Sequence, residues 1–325
     1  MPLRWGILGT ARINRMLIPA IRASNRSMIA GVASRARGRA DRYAAEWDIP
    51  RVFESYAALL DDPAMDVVYI PLPNSLHVEW TIRALDAGKH VLCEKPLALS
   101  IEDVDRIEDA AARARRVAAE AFMYRHHPIT MEAQRLVAAG ALGPLETIHG
   151  AFTFALTRSG DVRLDPSLGG GSLWDVGCYP VSYACLLAGH AAEAFGWAEM
   201  AGGVDLAFHG MLRFPSDVVA QFDCGFRGPF RAAIDIVGRD ASLTIERPFR
   251  TDERSCLALR RGDVVEHLPF EAAPAFTGEI DDMECAALGE RAPRVSLAES
   301  RRTASAITAL YESARSGRVV QVGGR

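Results

Sequence analysis

Short apolar runs alternate with segments of helical spacing through the first third of the chain. The apolar runs include Leu3 to Leu8, Met28 to Ala33 and Asp66 to Ile70, and the last is apolar enough for burial on both faces. Helical periodicity lies between them, as in Ile13 to Ala23 and Arg37 to Trp47. This alternation is typical of a parallel sheet covered by helices on both faces. The sequence therefore predicts an α/β domain whose ligands bind at the carboxyl ends of the strands.

The turn after the first predicted strand is a partial dinucleotide-binding motif. Of the pattern G-x-G-x-x-G only Gly9 is in place, because Ala11 and Asn14 stand where the second and third glycines belong. Gly9 can still form the tight turn, and backbone N–H groups at the start of the following helix can bind a pyrophosphate. The position of the turn, between a strand and a helix, supports a dinucleotide site.

The end of the second predicted strand lacks the acid that usually selects NAD. An Asp or Glu there normally binds the ribose 2′-hydroxyl, yet no acidic residue occurs between Gly9 and Asp41. A guanidinium and a serine hydroxyl suit a 2′-phosphate instead. The alternative is a solvated helix N-terminus that happens to be basic. The sequence favours NADP(H) over NAD(H), on the residues Ser34, Arg35, Arg37 and Arg39.

Two further turns follow predicted strand ends, PLPNSLH from Pro71 and CEKP from Cys93. A lysine at the carboxyl end of a parallel strand points into the ligand crevice, where Lys95 could lower the pKa of a nearby phenol. His77 could belong to the same site. A loop histidine that only makes structural hydrogen bonds is at least as good an interpretation of His77.

The stretch Gly169 to Gly189 combines three glycines with a run of near-helical apolar spacing. If the run is helical from about Asp175, then Asp175 and Tyr179 share a face and could act as an acid/base pair. Pro180 removes one backbone donor, so we expect the helix to begin or bend around this pair. The alternative is a core helix with a buried, hydrogen-bonded tyrosine.

Composition limits the classes of partner. A chain of 325 residues usually folds into two domains, and its net charge of −4 is spread evenly, which suggests neither a nucleic acid nor a membrane as partner. The six scattered cysteines contain no CxxC pair and are expected to be buried thiols of a cytoplasmic protein. We expect no signal peptide ahead of the first strand, which starts almost at once. We also expect no metal site, because the pair His126 and His127 lacks metal-ligand spacing.

The pattern changes after about Phe122. Strand-like runs joined by short polar turns predict an antiparallel or mixed sheet, with helices at 176–188, 277–290 and 297–315. We therefore expect a first domain over 1–122 and a second over 123–325. An uncovered sheet face would be a large apolar patch, so a homodimer or homotetramer through this second sheet is expected.

Motifs along essentially the whole chain together resemble the glucose–fructose oxidoreductase / inositol dehydrogenase (Gfo/Idh/MocA) family: GILGTARI, SR after the second strand, PLPNSLH, CEKPLALS, EAFMYRHHP and RLDPSLGGGSLWDVGCYP. The resemblance implies an N-terminal Rossmann domain with a doubly wound parallel sheet. A C-terminal α+β domain with an open, mostly antiparallel sheet would follow, its last helix packing back on the first domain. Many members carry D-x-G-x-H, and here Tyr179 stands in the histidine position. The chain thus looks more like the branch with dimeric dihydrodiol dehydrogenase and NADP-linked xylose dehydrogenase.

The resemblance also implies roles for individual residues. Lys95 and Tyr179 would be the central catalytic pair, with Asp175 orienting. The residues implied to bind the cofactor are Gly9, Thr10, Ala11, Arg12 and Ile13 at the pyrophosphate, Ser34, Arg35 and Arg39 at the 2′-phosphate, Leu72, Asn74, His77, Glu94 and Lys95 at the ribose and nicotinamide, and Arg125 and Trp174 close by. The residues implied to contact the substrate are Lys95, Arg163, Asp175 and Tyr179.

The function expected from this resemblance is NADP(H)-dependent hydride transfer to or from the CH–OH or C=O carbon of a sugar or cyclic polyol. Alternatives within enzymes are a trans-dihydrodiol dehydrogenase and a transferase that never releases its nicotinamide. A non-catalytic NADP-sensing regulatory protein is the alternative from another class. The presence of Lys95, Asp175 and Tyr179 favours an enzyme, because a binding-only protein needs no acid/base set.

Overall fold

The computed structural model describes residues 1–158 and 160–323, which form two compact units. The first contains residues 1–98, 102–126 and 276–297, and the second contains 99–101, 127–275 and the described residues from 298 onward. The predicted single boundary after Phe122 differs from this, because the chain changes unit after His126 and returns for 276–297. Helix Thr277–Ala287 explains the return: a Cβ on its Gly278 would lie 2.8 Å from the carbonyl oxygen of His126, so the two backbones are in contact.

The first unit contains a six-stranded parallel sheet with the strand order β3-β2-β1-β4-β5-β6, which is the Rossmann order and confirms the predicted fold class. The order reverses between β1 and β4, which is where ligands of such sheets bind. The strands are β1 Leu3–Leu8, β2 Ser27–Ala33, β3 Val52–Phe53, β4 Val67–Ile70, β5 His90–Glu94 and β6 Ala118–Ala121.

Helices connect these strands as the periodicity predicts, except for one. The five-residue helix α3 is too short to show helical periodicity, and only its N-cap marks it, where Ser55 Oγ accepts a hydrogen bond from the N–H of Ala58 at 3.0 Å. The helices of this part of the chain are α1 Asn14–Ala23, α2 Arg37–Glu46, α3 Tyr56–Leu60, α4 His77–Asp86 and α5 Ile101–Ala114.

The second unit is built on a nine-stranded sheet with the order β14-β13-β12-β11-β7-β10-β9-β8-β15. Its pairs are antiparallel except for β7 with β10, which confirms the open, mostly antiparallel sheet. The strands are β7 Leu145–Thr153, β8 Glu193–Ala201, β9 Val204–Arg213, β10 Val219–Gly225, β11 Arg231–Gly238, β12 Ser242–Glu246, β13 Cys256–Arg261, β14 Val264–His267 and β15 Val320–Gln321.

The remaining helices are α6 Pro128–Ala138, α7 Cys178–Ala188, α8 Thr277–Ala287 and α9 Leu297–Ser316. By its contacts the last helix belongs to the second unit from residue 298 onward, and that it also packs back on the first domain stays a prediction. There Ser313 Oγ accepts a hydrogen bond from the N–H of Gly196 in β8 at 3.1 Å, and Gly196 has no room for a side chain beside the carbonyl of Leu310. Within the described ranges, none of the helices is both long and apolar enough to cross a membrane.

Candidate active site

The turn between β1 and α1 is fixed by an asparagine. Gly9 has a φ of +107°, which disfavours other residues, and its N–H donates to the carbonyl of Ala33 at 2.8 Å. The buried Asn14 side chain donates to the carbonyl of Gly9 at 3.0 Å, at the position where the motif has its third glycine. The first turn of α1 carries no acidic residue and no side-chain cap, so its N-terminus is suited to a phosphate.

The four polar residues predicted after β2 differ in exposure and in partners. Ser34 is buried at the strand end, and Arg35 and Arg39 are exposed. Arg37 instead forms an ion pair with Asp41, with Nε 2.9 Å from Oδ1. The structure therefore singles out Arg35 and Arg39 from the basic run.

Tyr56, which sequence reasoning missed, lies beside both the glycine turn and these arginines. Its phenol oxygen is 3.9 Å from the position of a Cβ built on Gly9. Burial raises the pKa of Tyr56, while the charges of Arg35 and Arg39 and a hydrogen bond from the backbone of Arg35 oppose the rise. Tyr56 sits in the short helix α3, so no periodicity could reveal it.

His77 is fully buried and joins two loops. Its Nδ1 lies 2.7 Å from the carbonyl oxygen of Pro96 and its Nε2 lies 2.7 Å from that of Leu72. Burial lowers the pKa of His77, and the charge of Lys95 acts in the same direction against the two carbonyls. Both ring nitrogens thus have backbone partners, as the structural interpretation of this histidine predicts.

The turn after β5 is held by a phenol and two acids, of which Glu94 is half-buried and Glu120 is buried. Tyr69 donates its hydroxyl proton to Glu94 Oε1 at 2.6 Å, and Glu120 Oε1 accepts the N–H of Leu97 at 2.9 Å. Lys95 is half-buried and directly follows β5, at the carboxyl edge of the sheet as predicted, and its peptide bond to Pro96 is cis. Neither Tyr69 nor Glu120 was predicted, because each reaches the turn from another strand.

Two glycines allow close packing of the backbone just before the segment that carries Asp175 and Tyr179. Gly171 has a φ of +123°, and a Cβ on it would collide with the carboxylate of Asp205. A Cβ on Gly170 would collide with the backbone of Arg163, whose carbonyl accepts the N–H of Gly171 at 2.9 Å. The glycine run is therefore required by close backbone packing.

Asp175 lies in a single wide helical turn, Leu173–Gly177, which continues into α7. Such π-turns occur often at functional sites. Pro180 falls in the first turn of α7, where its missing N–H costs little, and Gly150 makes room for it because a Cβ there would be 2.5 Å from that of Pro180. The helix thus begins around the Asp175 and Tyr179 pair, as predicted.

Arg163 and Asp175 are brought together. Arg163 Nε lies 2.6 Å from Asp175 Oδ2, and its Nη1 lies 3.2 Å from Asp161 Oδ1. The charge of Asp175 raises the pKa of Arg163 above its ordinary value, against the effect of burial. The guanidinium therefore fixes the orientation of this carboxylate.

Tyr179 is 5% exposed and lies in an aromatic cluster. Its ring centroid is 5.3 Å from that of Phe152 and 5.1 Å from that of Phe249, and these two rings stack at 5.5 Å. Apolar surroundings disfavour a phenolate, so a phenolate at this position needs a cation nearby. Trp174 packs its ring 5.9 Å from that of Tyr311, and Arg125 is buried in a short helix of the first unit.

Comparisons with known proteins decide the family. Residues 3–122 match the model of an oxidoreductase family with an NAD-binding Rossmann fold, and residues 130–244 match the GFO/IDH/MocA C-terminal domain. The chain belongs to the Gfo/Idh/MocA oxidoreductase family. The family identified from the motifs is thereby confirmed.

Relatives of this Gfo/Idh/MocA member include several named enzymes. A D-xylose 1-dehydrogenase (NADP(+)) of Haloferax volcanii is 37% identical over 98% of this chain and 100% of that protein. The crystal structure of aldose-aldose oxidoreductase from Caulobacter crescentus complexed with glycerol matches with a TM-score of 0.92 and 27% identity over 99% and 100% of the two chains. A 3-ketoreductase of Actinomadura kijaniata in complex with NADP and TDP-benzene matches with a TM-score of 0.89 and 31% identity over 96% and 98%.

Proposed function

We propose that this protein is an NADP(H)-dependent oxidoreductase of sugars or cyclic polyols. The observation that carries the cofactor choice is the grouping of Arg35, Arg39 and Tyr56 beside the Gly9 turn, without a carboxylate at the end of β2. Guanidinium and phenol donors bind a 2′-phosphate, whereas a 2′-hydroxyl would need an acceptor. The named sugar enzymes among its relatives support the substrate class.

The nicotinamide supplies the hydride chemistry when bound, and the chain's own residues handle the proton. In the oxidative direction Tyr179 takes the proton of the substrate hydroxyl while the C–H hydride leaves, and in the reductive direction it returns that proton. The family resemblance implies that Lys95 stabilises the phenolate form of Tyr179, and the Arg163–Asp175 pair orients the reacting groups.

The other predicted cofactor residues keep their proposed places, with one change. Thr10, Ala11, Arg12 and Ile13 would face the pyrophosphate, and Leu72, Asn74 and Glu94 the ribose and nicotinamide. His77 has backbone partners at both ring nitrogens, so we assign it to holding the two loops that bear these residues.

The experiment that tests the catalytic assignment compares Tyr179→Phe with Tyr183→Phe, which truncates a buried phenol one turn further along α7. NADP⁺ reduction is measured over aldoses, inositols and dihydrodiols, and NADPH binding is measured by fluorescence. We expect Tyr179→Phe to abolish turnover while keeping NADPH binding, and Tyr183→Phe to keep both. Turnover retained by Tyr179→Phe removes this residue from the mechanism.

A second candidate is oxidation of aryl or alicyclic trans-diols. It is favoured by the aromatic cluster around Tyr179, in which Phe230 also lies 6.2 Å from Phe152. A trans-1,2-dihydrobenzene-1,2-diol dehydrogenase of Danio rerio is 30% identical over 75% of each chain. Higher kcat/KM for dihydrodiols than for aldoses in the same panel would select this function.

We also propose a homodimer or homotetramer through the outer face of the nine-stranded sheet. Phe195, Trp197 and Met211 are 39%, 71% and 44% exposed on the neighbouring strands β8 and β9, and large apolar side chains grouped on one exposed face suit an interface between subunits. Light scattering should give a multiple of 35.3 kDa, and Trp197→Glu should reduce it. Met16→Glu, at a half-exposed methionine of α1, is the control that should leave the mass unchanged.

A cytoplasmic location is part of the proposal. The cysteines are present as thiols, and all but Cys256 are buried. Thiols of this kind are typical of a reducing compartment.

A further inference from the structure

A buried carboxylate outside every predicted motif holds the start of the candidate catalytic segment, which carries Asp175 and Tyr179. Asp205 in β9 is 1% exposed. Its Oδ2 accepts the hydroxyl of Ser172 at 2.7 Å and the N–H of Leu173 at 2.7 Å, and its Oδ1 accepts the hydroxyl of Tyr311 at 2.6 Å. These three donors are uncharged, and their hydrogen bonds compensate the desolvation of the carboxylate.

Two of these donors belong to the backbone and side chain at the N-terminal end of the wide turn Leu173–Gly177. An anion at a helix N-terminus is favourable, because the free N–H groups there carry partial positive charge. The residue before them, Gly171, cannot bear a side chain because it would collide with this carboxylate. Asp205 thus fixes where the turn begins.

The third donor connects the last helix to the same turn. Tyr311 of α9 donates to Asp205, which also accepts the N–H of Leu173, the residue before Trp174. The ring of Tyr311 lies 5.9 Å from that of Trp174 at an interplanar angle of 36°. The ring of Trp174 is therefore held against the same tyrosine that donates to Asp205.

We propose that Asp205 and Tyr311 are positioning residues that set the geometry of the turn carrying Trp174 and Asp175, and through it the proton chemistry at Tyr179. This inference rests on the proposed function. Neither residue touches the reacting atoms; each acts through the turn. A displacement of about 1 Å in a reacting geometry can lower a rate about a hundredfold. Removing the hydrogen bonds of Asp205 or Tyr311 should therefore lower kcat more than it lowers NADPH affinity.

Ser313 provides a matched control on the same helix. It is fully buried, and its hydroxyl accepts the N–H of Gly196 at 3.1 Å and donates to the carbonyl of Arg318 at 2.6 Å. The first bond anchors α9 to β8 and the second holds the chain that follows α9; neither involves the turn. Ser313→Ala should therefore destabilise the protein without changing catalysis.

The experiment measures kcat, KM, NADPH affinity and thermal unfolding for Asp205→Asn, Tyr311→Phe and Ser313→Ala. We expect the first two to lower kcat about tenfold or more with NADPH affinity within about twofold, and Ser313→Ala to keep kcat. The near-ultraviolet circular dichroism of Trp174, isolated by subtracting the Trp174→Phe spectrum, should weaken in the first two variants alone. Tyr311→Phe keeps the ring and tests the idea even where Asp205→Asn fails to fold.

An unchanged kcat in Tyr311→Phe, with the same loss of stability as Ser313→Ala, overturns the inference. So does a fall in kcat that parallels an equal fall in NADPH affinity. If the native protein turns over no compound of the panel, the proposed function fails, and the Trp174 signal still decides the positioning role. An unaltered Trp174 signal in both variants would then overturn it.

Discussion

Replacing Arg163 with methionine should move the acid limb of the pH profile of kcat/KM to higher pH. The guanidinium stabilises the ionised form of Asp175 through a contact of 2.6 Å. Two unit charges about 4 Å apart attract by about 4 kcal/mol at an effective dielectric constant of ~20. Because 38% of the Arg163 side chain is exposed, solvent reduces this, and a hydrogen bond to a charged group contributes about 1.5–3 kcal/mol. We therefore take about 2 kcal/mol for the stabilisation of ionised Asp175 by Arg163. At ~1.4 kcal/mol per pH unit, its loss shifts the acid limb by about 1.5 pH units.

The direction follows from which form of Asp175 is active. In the proposed mechanism the ionised carboxylate orients the reacting groups, so activity is expected to fall where it becomes protonated. Losing the neighbouring cation makes protonation occur at higher pH. The assay is NADP⁺ reduction with the best sugar of the panel from about pH 3 to 9, because the ordinary pKa of an aspartate, about 3.9, lies well below neutrality. Arg163→Lys keeps the charge and should keep the limb in place while lowering kcat, because lysine lacks the planar fork.

Arg213→Met serves as the matched control, since Arg213 Nε lies 2.8 Å from Glu193 Oε2 in a similarly exposed pair at the sheet edge. Its profile should coincide with that of the native protein. An acid limb that stays in place in Arg163→Met would show that this ion pair does not govern the activity of Asp175.

Three other outcomes are expected. Arg35→Ala should raise the KM for NADP⁺ about tenfold to a hundredfold and leave NAD⁺ nearly unaffected, whereas Arg37→Ala should change neither, as steady-state kinetics with both cofactors would show. Burial, followed by the charges of nearby arginines, lowers the pKa of His126 to about 3, although Asp282 Oδ2 lies 3.9 Å away. The free energy of unfolding measured with urea should therefore fall by up to about 1.4 kcal/mol per pH unit as the pH falls below about 6.5. The free energy of unfolding of His126→Gln should fall less over the same range. Burial raises the pKa of Glu279, whose carboxyl oxygens are buried without hydrogen-bond partners, so Glu279→Gln should be more stable than the native protein at pH 7 by about 1 kcal/mol or more; equal stability would contradict this.

Features with a local cause could be predicted from the sequence. The alternation of β1 to β6 with their helices, the turn at Gly9 and the start of the helix near Asp175 follow from periodicity, glycine and proline within a few residues. Spacing alone could not predict that Arg163 pairs with Asp175, because the two are 12 positions apart across a loop, although the family resemblance names both.

The supporting residues could not be predicted, because their partners are far away in the chain. Tyr311 is 106 positions from Asp205, and Asp205 is 33 from Ser172. Glu120 reaches Leu97 across 23 residues. A carboxylate in a strand has no periodicity or motif that indicates its donors, so only the folded sheet reveals which loop it holds.

The parallel pairing of β7 with β10 has a consequence for how the protein is made. The candidate catalytic segment, which carries Asp175 and Tyr179, lies in the connection between these strands. The hydrogen bonds that hold its N-terminal end include that of Tyr311 in α9, the last helix. During synthesis the N-terminal unit can form its parallel sheet while most of the chain is still to come. The candidate catalytic segment, in contrast, lacks the hydrogen bond of Tyr311 until α9 has been translated, so a chain interrupted after Leu297 would have every residue of the first unit and a catalytic segment still incompletely held.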